Sequence, residues 1–279
     1  ISLINITSQA IYGGLSIVLA WMGFGAWSLI VAQIVQVLYR TVMVLIVKPI
    51  NLFFLRLNRN SAKELMNYGV GHTLSRIFNT IAIQGDYFVV NKTLGSTALG
   101  YYNRAYTLLL VPTNLISTVL DKVMFPMLSK YQDKKEKLSF VYLNISALIA
   151  LLAMPITIAS LLLAEEIVGV VLGSNWGMTV LPFQILVSCL LFRMAYKICD
   201  SLVRAIGAVY KRMWVQIVYA VTVIFGALIG KEWGISGVAV ATSIAIFVNY
   251  VLMTGIVVRA IELKVGAYVR YMGPIMTVS

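Results

Sequence analysis

The sequence predicts an all-α fold, a polytopic membrane bundle of about eight transmembrane helices. Three observations predict it. Sixty per cent of the 279 residues are hydrophobic, only 11% are charged, and the mean hydropathy is +0.90. A soluble domain carries about 25% charged residues, so this supply cannot clothe a water-facing surface. A soluble enzyme and a nucleic-acid binder are both excluded on that ground. Next, eight stretches reach or approach the roughly 20 apolar residues that cross a bilayer as a helix. Last, the lysines and arginines between those stretches fall on alternate sides.

The first two stretches, Ile4–Met22 and Trp27–Val47, are joined by Gly23-Phe24-Gly25, a glycine turn that permits a tight hairpin. Leu65–Val90 and Leu99–Phe125 follow and are joined through Leu94-Gly95-Ser96. Leu138–Leu163 and Met178–Ala205 flank the connection Ala164–Gly177, which ends in Gly173-Ser174-Asn175-Trp176-Gly177. Trp214–Ile229 and Ile235–Val258 flank Gly230-Lys231-Glu232-Trp233-Gly234. The seventh stretch is short and the sixth is interrupted by charge. Trp27, Trp176 and Trp233 sit where an interfacial aromatic belt would lie.

Eight spans place the loops alternately on two sides. One side collects Lys48, Arg56, Arg59 and Lys63; then Lys130, Lys134, Lys135 and Lys137; then Arg204, Lys211 and Arg212; then Arg259, Lys264 and Arg270. The other holds Lys92 and Lys231. Cytoplasmic loops carry the excess of Lys and Arg, so the rich side is expected to be cytoplasmic. One missed or invented span would scramble the contrast. The chain starts at Ile1 with no basic n-region and no small-residue cleavage site, which reads as a fragment beginning between membrane helices rather than as a signal peptide.

Charge inside the spans carries the functional information. A charge at mid-bilayer costs about 2.5–3.5 kcal/mol on insertion scales, so such residues face a bundle interior or a wet cavity. In the sixth span Arg193, Lys197, Asp200 and Arg204 recur at helical spacing on one face. In the third, His72, Arg76, Asn79 and Asp86 do the same; in the fourth, Arg104, Thr107, Asn114, Thr118 and Asp121. Three helices thus carry polar faces, expected to share one cavity. Two readings compete. As internal glue, Asp200 neutralises Lys197 or Arg204, Asp121 and Lys122 sit at the interface, and Arg40 snorkels. As an anion-accepting cavity, Arg76, Arg104, Arg193 and Lys197 meet substrate while His72, Asp86 and Asp200 pair charges or couple transport. The surplus of cations favours the second. His72 is the sole histidine, and a proton relay competes there with a polar helix contact. Pro112 and Pro155 lie inside spans, as membrane helices tolerate.

No cofactor, metal or catalytic motif is expected. A single histidine precludes H-E-x-x-H, and no G-x-S-x-G elbow or Walker-type loop occurs. Cys189 and Cys199 would lie about 15 Å apart on one helix, too far for a disulfide.

The run Gly85-Asp86-Tyr87-Phe88-Val89-Val90, then Lys92-Thr93-Leu94-Gly95 and Ala98-Leu99-Gly100-Tyr101-Tyr102-Asn103-Arg104-Ala105-Tyr106, resembles bacterial Wzx-type oligosaccharide flippases of the teichuronic and colanic acid exporter branch. Asn91 stands where that pattern carries glycine. The likeness continues through Val111-Pro112, Phe125-Pro126-Met127-Leu128-Ser129 and Gln132-Asp133, with looser pieces at Gly25–Leu29, Leu172–Trp176 and Trp233–Ala239. These flippases belong to the multidrug/oligosaccharidyl-lipid/polysaccharide exporter superfamily. The resemblance implies a MATE-like, two-lobed transporter. On it, residues 1–47 are the last two helices of the N-terminal lobe and 48–64 the cytoplasmic inter-lobe loop. Residues 65–258 are a C-terminal lobe of about six helices, and 259–279 a cytoplasmic segment leading into a further apolar stretch. The implied activity is moving a polyprenyl-pyrophosphate-linked oligosaccharide from the inner to the outer leaflet of the bacterial cytoplasmic membrane. Its partners would be that anionic lipid, the surrounding membrane lipids and polysaccharide-assembly proteins, with no nucleic acid. Three alternatives remain: a cation antiporter of the same superfamily, which calls for an acidic cavity; a membrane polymerase or ligase, which calls for a large reactive outer loop; and a non-transporting scramblase or assembly scaffold.

Overall fold

The computed structural model describes residues 2–47, 59–131 and 134–263. Most of the expected loop 48–64 and most of the segment 259–279 lie outside these residues, as do the side chains of Asp121, Arg59 and Glu64. Every regular element among the described residues is helical. The chain divides into two units, Ile1–Ala62 and Lys63–Ser279.

The first unit is a hairpin of α1 (Ser2–Trp21) and α2 (Trp27–Val47). Gly23 and Gly25 adopt φ values of 85° and 53°, which L side chains disfavour, and so allow the five-residue reversal. Polar cross-links are few: Gln36 donates to Gln9 at 3.1 Å and Tyr39 to Thr7 at 3.3 Å. Arg40 is exposed on α2.

The second unit opens with α3 (Arg59–Leu94), 36 residues and about 54 Å long at 1.5 Å per residue. It is the one expected span that is not apolar enough to pass as membrane-crossing by composition. Charges at Arg76, Asp86 and Lys92 and polar groups on several faces lower its hydropathy. The helix α4 (Ser96–Val119) follows Gly95 (φ 91°) and carries Pro112 without breaking. It does not end at Phe125 as expected. It passes through a π-helical turn, Leu120–Met124, into α5 (Phe125–Lys130). Pro126 has no N–H to donate, and the Phe125 N–H reaches back to the Leu120 carbonyl, so the ladder slips to i→i+5 where proline interrupts it.

After α6 (Lys135–Leu162) the expected loop Ala164–Gly177 turns out to be ordered. It contains α7 (Ala164–Val171) and a 3₁₀ turn, Ser174–Thr179. The expected sixth span is not one helix. It is α8 (Val180–Val187) and α9 (Leu190–Ala205), bent by 52° at Ser188–Cys189. There the Ser188 hydroxyl donates to the Ile185 carbonyl at 2.7 Å, and the Cys189 N–H bonds to Leu186 rather than to the i−4 carbonyl. Local side-chain bonding of this kind competes with the helical ladder. The bend thus falls before the charged face and is not caused by it.

The chain ends its described course in an antiparallel hairpin, α10 (Val209–Gly230) and α11 (Gly234–Ala260). A Cβ on Gly226 would meet Ala241 at 3.0 Å, and one on Gly230 would strike the Gly237 carbonyl at 2.5 Å. Small residues at facing positions let the backbones touch, as membrane helices require where lipid gives no hydrophobic drive to association. Among the described residues five helical stretches are long and apolar enough to cross a membrane, six with the bent pair. One of the five, Val209–Ala260, is this hairpin and folds back on itself at Lys231–Trp233. The core joins Tyr102, Tyr106 and Leu109 of α4 to Tyr142 of α6, Leu186 of α8, Met194 and Leu202 of α9, and Met253 of α11.

Candidate functional site

The span charges that the sequence analysis singled out in the second unit fall into two main groups. One is sealed inside. The other is exposed on α3 and α4.

The sealed group begins on α9, whose polar face packs inward. Asp200 is buried and accepts from Arg212 Nε at 2.5 Å and from Arg204 Nε at 3.1 Å. Tyr196 donates to the same carboxylate at 3.2 Å. From Tyr196 the polar chain continues: Gln216 donates to the Tyr196 hydroxyl at 3.1 Å and to Asn249 at 3.4 Å, and Asn79 donates to Gln216 at 2.9 Å. One hydrogen-bonded network therefore joins α3, α9, α10 and α11. Members that share an element lie at helical spacing on it: Arg212 and Gln216 on α10, and Tyr196, Asp200 and Arg204 on α9.

A second buried cluster sits along the same helices. Asp86, 1% exposed, accepts from the Tyr102 hydroxyl and from the Tyr87 N–H, both at 2.7 Å. Tyr102 shares a further hydrogen bond of 3.0 Å with Thr242 of α11. Arg193 is buried with its guanidinium carbon 4.9 Å from the Tyr106 ring centre, and Nε has no hydrogen-bond partner among the described residues. Its charge lies close enough to Asp86 for the two to interact. Between the clusters is a small cavity of about 40 Å³ lined by Asn79, Arg193, Tyr196, Lys197, Tyr219 and Asn249. A water needs roughly 10–15 Å³ of such space and two to four polar partners. The cavity therefore has room for a few waters and none for a pyrophosphate.

His72 is half-buried, with its ring parallel to that of Tyr68 at 6.2 Å and within the field of Arg212, Arg204 and Asp200. Its Nδ1 makes no hydrogen bond. Lys197 lines the cavity and approaches the Tyr196 ring at 6.0 Å.

Arg76 and Arg104 are not in this cavity. Arg76 is exposed, as are Thr73, Thr80 and Gln84 at helical spacing around it. Arg104 is exposed together with Thr107, Asn114 and Thr118. On α4 the opposite face, Tyr102, Ala105, Tyr106, Leu109 and Thr113, is the buried one. The expected single cavity is thus two environments. Helix α3 takes part in both, since His72, Asn79 and Asp86 point inward while Arg76 points out. Lys122 is exposed in the π turn.

Sequence reasoning placed Arg212 in a loop and passed over Gln216, Tyr196 and Asn249. The signal was present: Arg212, Gln216 and Tyr219 repeat at i, i+4 and i+7 at the start of an apolar helix, as the third and sixth spans do. Among the described residues no cluster of His, Cys, Asp and Glu is fit to hold a metal ion.

A long bundle with proline, a π turn and a bend in its helices, cross-linked by buried charge and presenting polar stripes, defines a multi-pass membrane protein of transporter architecture. Comparison with known proteins makes the class specific. Residues 1–181 match the sequence family described as "Polysaccharide biosynthesis protein", and the chain belongs to that family. The teichuronic acid biosynthesis protein TuaB of Bacillus subtilis (strain 168) is 23% identical over 74% of this chain, which spans 43% of TuaB. Two solved structures share the fold. A MATE protein in complex with MaL6 aligns with TM-score 0.73 at 18% identity, over 92% of this chain and 62% of its own. The lipid II flippase MurJ, in an inward closed conformation, aligns with TM-score 0.68 at 14% identity, over 98% of this chain and 59% of its own. The chain therefore spans less than two thirds of the proteins it matches.

Proposed function

We propose that the protein of which this chain forms part is a flippase of the bacterial cytoplasmic membrane. It carries a polyprenyl-pyrophosphate-linked oligosaccharide from the inner to the outer leaflet. The observation that supports this most is the gathering of cations on the second unit. Arg193 and Lys197 line the cavity, and Arg76 and Arg104 are exposed beyond it. Low-dielectric walls extend the field of such charges and draw an anionic headgroup. On this reading Arg76 and Arg104 touch the pyrophosphate and its sugars, and Arg193 and Lys197 supply the field behind them. His72 and the two aspartates tune that field. On this reading residues 1–47 belong to one lobe and residues 65–258 to the other, and transport is by alternating access. Polysaccharide-assembly proteins would receive the product.

A cation antiporter of the same superfamily fits less well. A cationic drug needs a free carboxylate, and both buried aspartates are occupied. The family of the chain also favours the glycan lipid.

The test is complementation of a flippase-deficient strain, with membrane abundance measured beside surface polysaccharide. Arg193→Ala is expected to cut output while leaving abundance near wild type, because it removes a costly buried charge and breaks no hydrogen bond at Nε. Arg193→Lys is expected to be milder. Normal output from the combined Arg76, Arg104, Arg193 and Lys197 alanine variant, at normal abundance, would end the proposal.

A further inference from the structure

Away from the buried network, α5 and α6 both pack on α9. Between them lies a groove of about 370 Å³, lined by Met127 and Tyr131 from the end of α5 and by Glu136, Lys137, Phe140 and Val141 from the first two turns of α6. Phe140 is 71% exposed, and Leu148 and Leu151 continue the exposed face of α6 eight and eleven residues on. Asn144, the polar residue on that line, turns its amide back to the Phe140 carbonyl at 2.8 Å. Lys137 Nζ stands 5.1 Å from the centre of the Tyr131 ring. Glu136 and Lys137 are both exposed, and neither forms an ion pair with another described residue. Their neighbour Lys135 is instead paired with Glu262 at 2.5 Å.

A glutamate beside a lysine at the start of a surface helix is ordinarily a solvated pair. Here both line a groove whose apolar wall runs on along an exposed helix face. A water-soluble ligand would leave Phe140 and the two leucines uncovered, whereas an acyl chain covers them and removes apolar area from water. The charged lining then selects the headgroup. Lys137, steadied over the Tyr131 ring, offers a point charge with N–H donors to a phosphate. The Glu136 carboxylate repels a second negative charge and accepts from a primary ammonium. A headgroup that carries a phosphate next to a primary ammonium answers both. A choline headgroup has no N–H to give Glu136, and a glycerol headgroup brings net negative charge to its side. The volume falls within the roughly 300–1,000 Å³ of small-molecule sites and takes such a headgroup with the first carbons of its chains.

We propose that the α5–α6 groove is a binding site for phosphatidylethanolamine, with the phosphate on Lys137, the ammonium on Glu136 and an acyl chain along Phe140, Leu148 and Leu151. The lysine-rich stretch that contains Glu136 and Lys137 is the one expected on the cytoplasmic side, which assigns the lipid to the inner leaflet. The lipid is a resident of the bilayer and not cargo. The site therefore stands apart from the flippase reading and needs only that the chain spans a membrane.

The test uses the full-length protein, stripped of lipid in detergent. Phosphatidylethanolamine, phosphatidylcholine and phosphatidylglycerol of one acyl composition are titrated separately, and the first bound lipid is followed by native mass spectrometry. Phosphatidylethanolamine is expected to bind about tenfold more tightly than either of the others, the scale of one charge-assisted hydrogen bond. Glu136→Gln should abolish that preference. Lys137→Gln should weaken all three lipids about tenfold, because the phosphate is common to them. Lys135→Gln, a lysine lost one residue away from the groove lining, should change affinity less than about twofold, since its charge is exposed. All three positions are exposed, and circular dichroism checks that each variant is folded. Four results would each overturn the site: phosphatidylglycerol or phosphatidylcholine binding as tightly as phosphatidylethanolamine, a preference that survives Glu136→Gln, equal losses from Lys135→Gln and Lys137→Gln, or displacement by an equal concentration of a polyprenyl phosphate, which would make the groove a place for cargo.

Discussion

Replacing Asp200 with asparagine keeps the shape of the side chain and removes its charge. The residue stands 2.5 Å from Arg212 and 3.1 Å from Arg204, with side-chain exposures of 11%, 9% and 18% for the three in that order. At an effective dielectric of about 20, a charge pair near 4 Å is worth roughly 4 kcal/mol, against which the desolvation of both ions must be set. The pair itself is therefore worth little net. Leaving one buried partner unpaired is different and costs about 3–5 kcal/mol. Arg212 would become that partner. Arg204 would suffer less, because it is more exposed and its guanidinium carbon also lies 5.3 Å from the Phe125 ring centre. We expect Asp200→Asn to destabilise the protein by about 3 kcal/mol. Arg212→Met should cost less alone, since Arg204 and Tyr196 still meet the carboxylate. The double variant should cost far less than the sum, with a coupling of about 2 kcal/mol. The assay is unfolding in mixed micelles followed by circular dichroism, run as a double-mutant cycle. An Asp200→Asn protein within about 1 kcal/mol of wild type, or strictly additive variants, would refute the reasoning, because either result means water already reaches this carboxylate.

Two further outcomes follow from packing and topology. A side chain at Gly237 would strike the Gly230 carbonyl, so Gly237→Val should cost more than about 3 kcal/mol and lower folded yield in detergent, whereas Gly255→Ala, with nothing within 4 Å of its Cβ, should be neutral. In a background with Cys189 and Cys199 replaced, a cysteine at Ser174 should react with an impermeant maleimide in intact cells and one at Ser129 only after permeabilisation. The reverse pattern would invert the topology.

The helices were legible in the sequence wherever one long apolar run sits between glycine turns, as with α1, α2, α6 and the α10–α11 hairpin. Composition alone fails at α3. Its polar residues serve two environments at once, so no single face is apolar. It fails also at α8–α9, because the bend comes from local bonding at Ser188 and Cys189, and neither residue disturbs hydropathy. Periodicity found Asp200, Arg193 and Lys197 correctly as one face. It could not say that Arg212 closes on Asp200, since that contact joins separate helices across the turn at Gly207. Arg104 was read as part of a common stripe because spacing fixes residues to one face of a helix and leaves open which way the face turns. Burial of Tyr102, Ala105 and Tyr106 decides that, and it turns Arg104 outward.

The division of the charges bears on how such a unit can move. Opening the 40 Å³ cavity to admit a pyrophosphate would separate α9 from α10 and α11. The Gln216–Tyr196 hydrogen bond would break together with the Arg212–Asp200 ion pair. Each buried polar group left unsatisfied costs about 1–3 kcal/mol, and charged ones more. A cost of that size, paid in every cycle, favours any motion that leaves the network whole. On the proposed function the second unit then moves as one body, with flexing left to the π turn before Pro126 and the bend at Ser188. A unit that stays closed can still act on an anion in two ways: through the field of its buried cations, and through the arginines on its surface. On the proposed function Arg193 and Arg104 do different work although both were drawn from the same pattern of charge in apolar helix. Variants of Arg193 should change how strongly any anion is drawn in, and variants of Arg104 how firmly the headgroup is held.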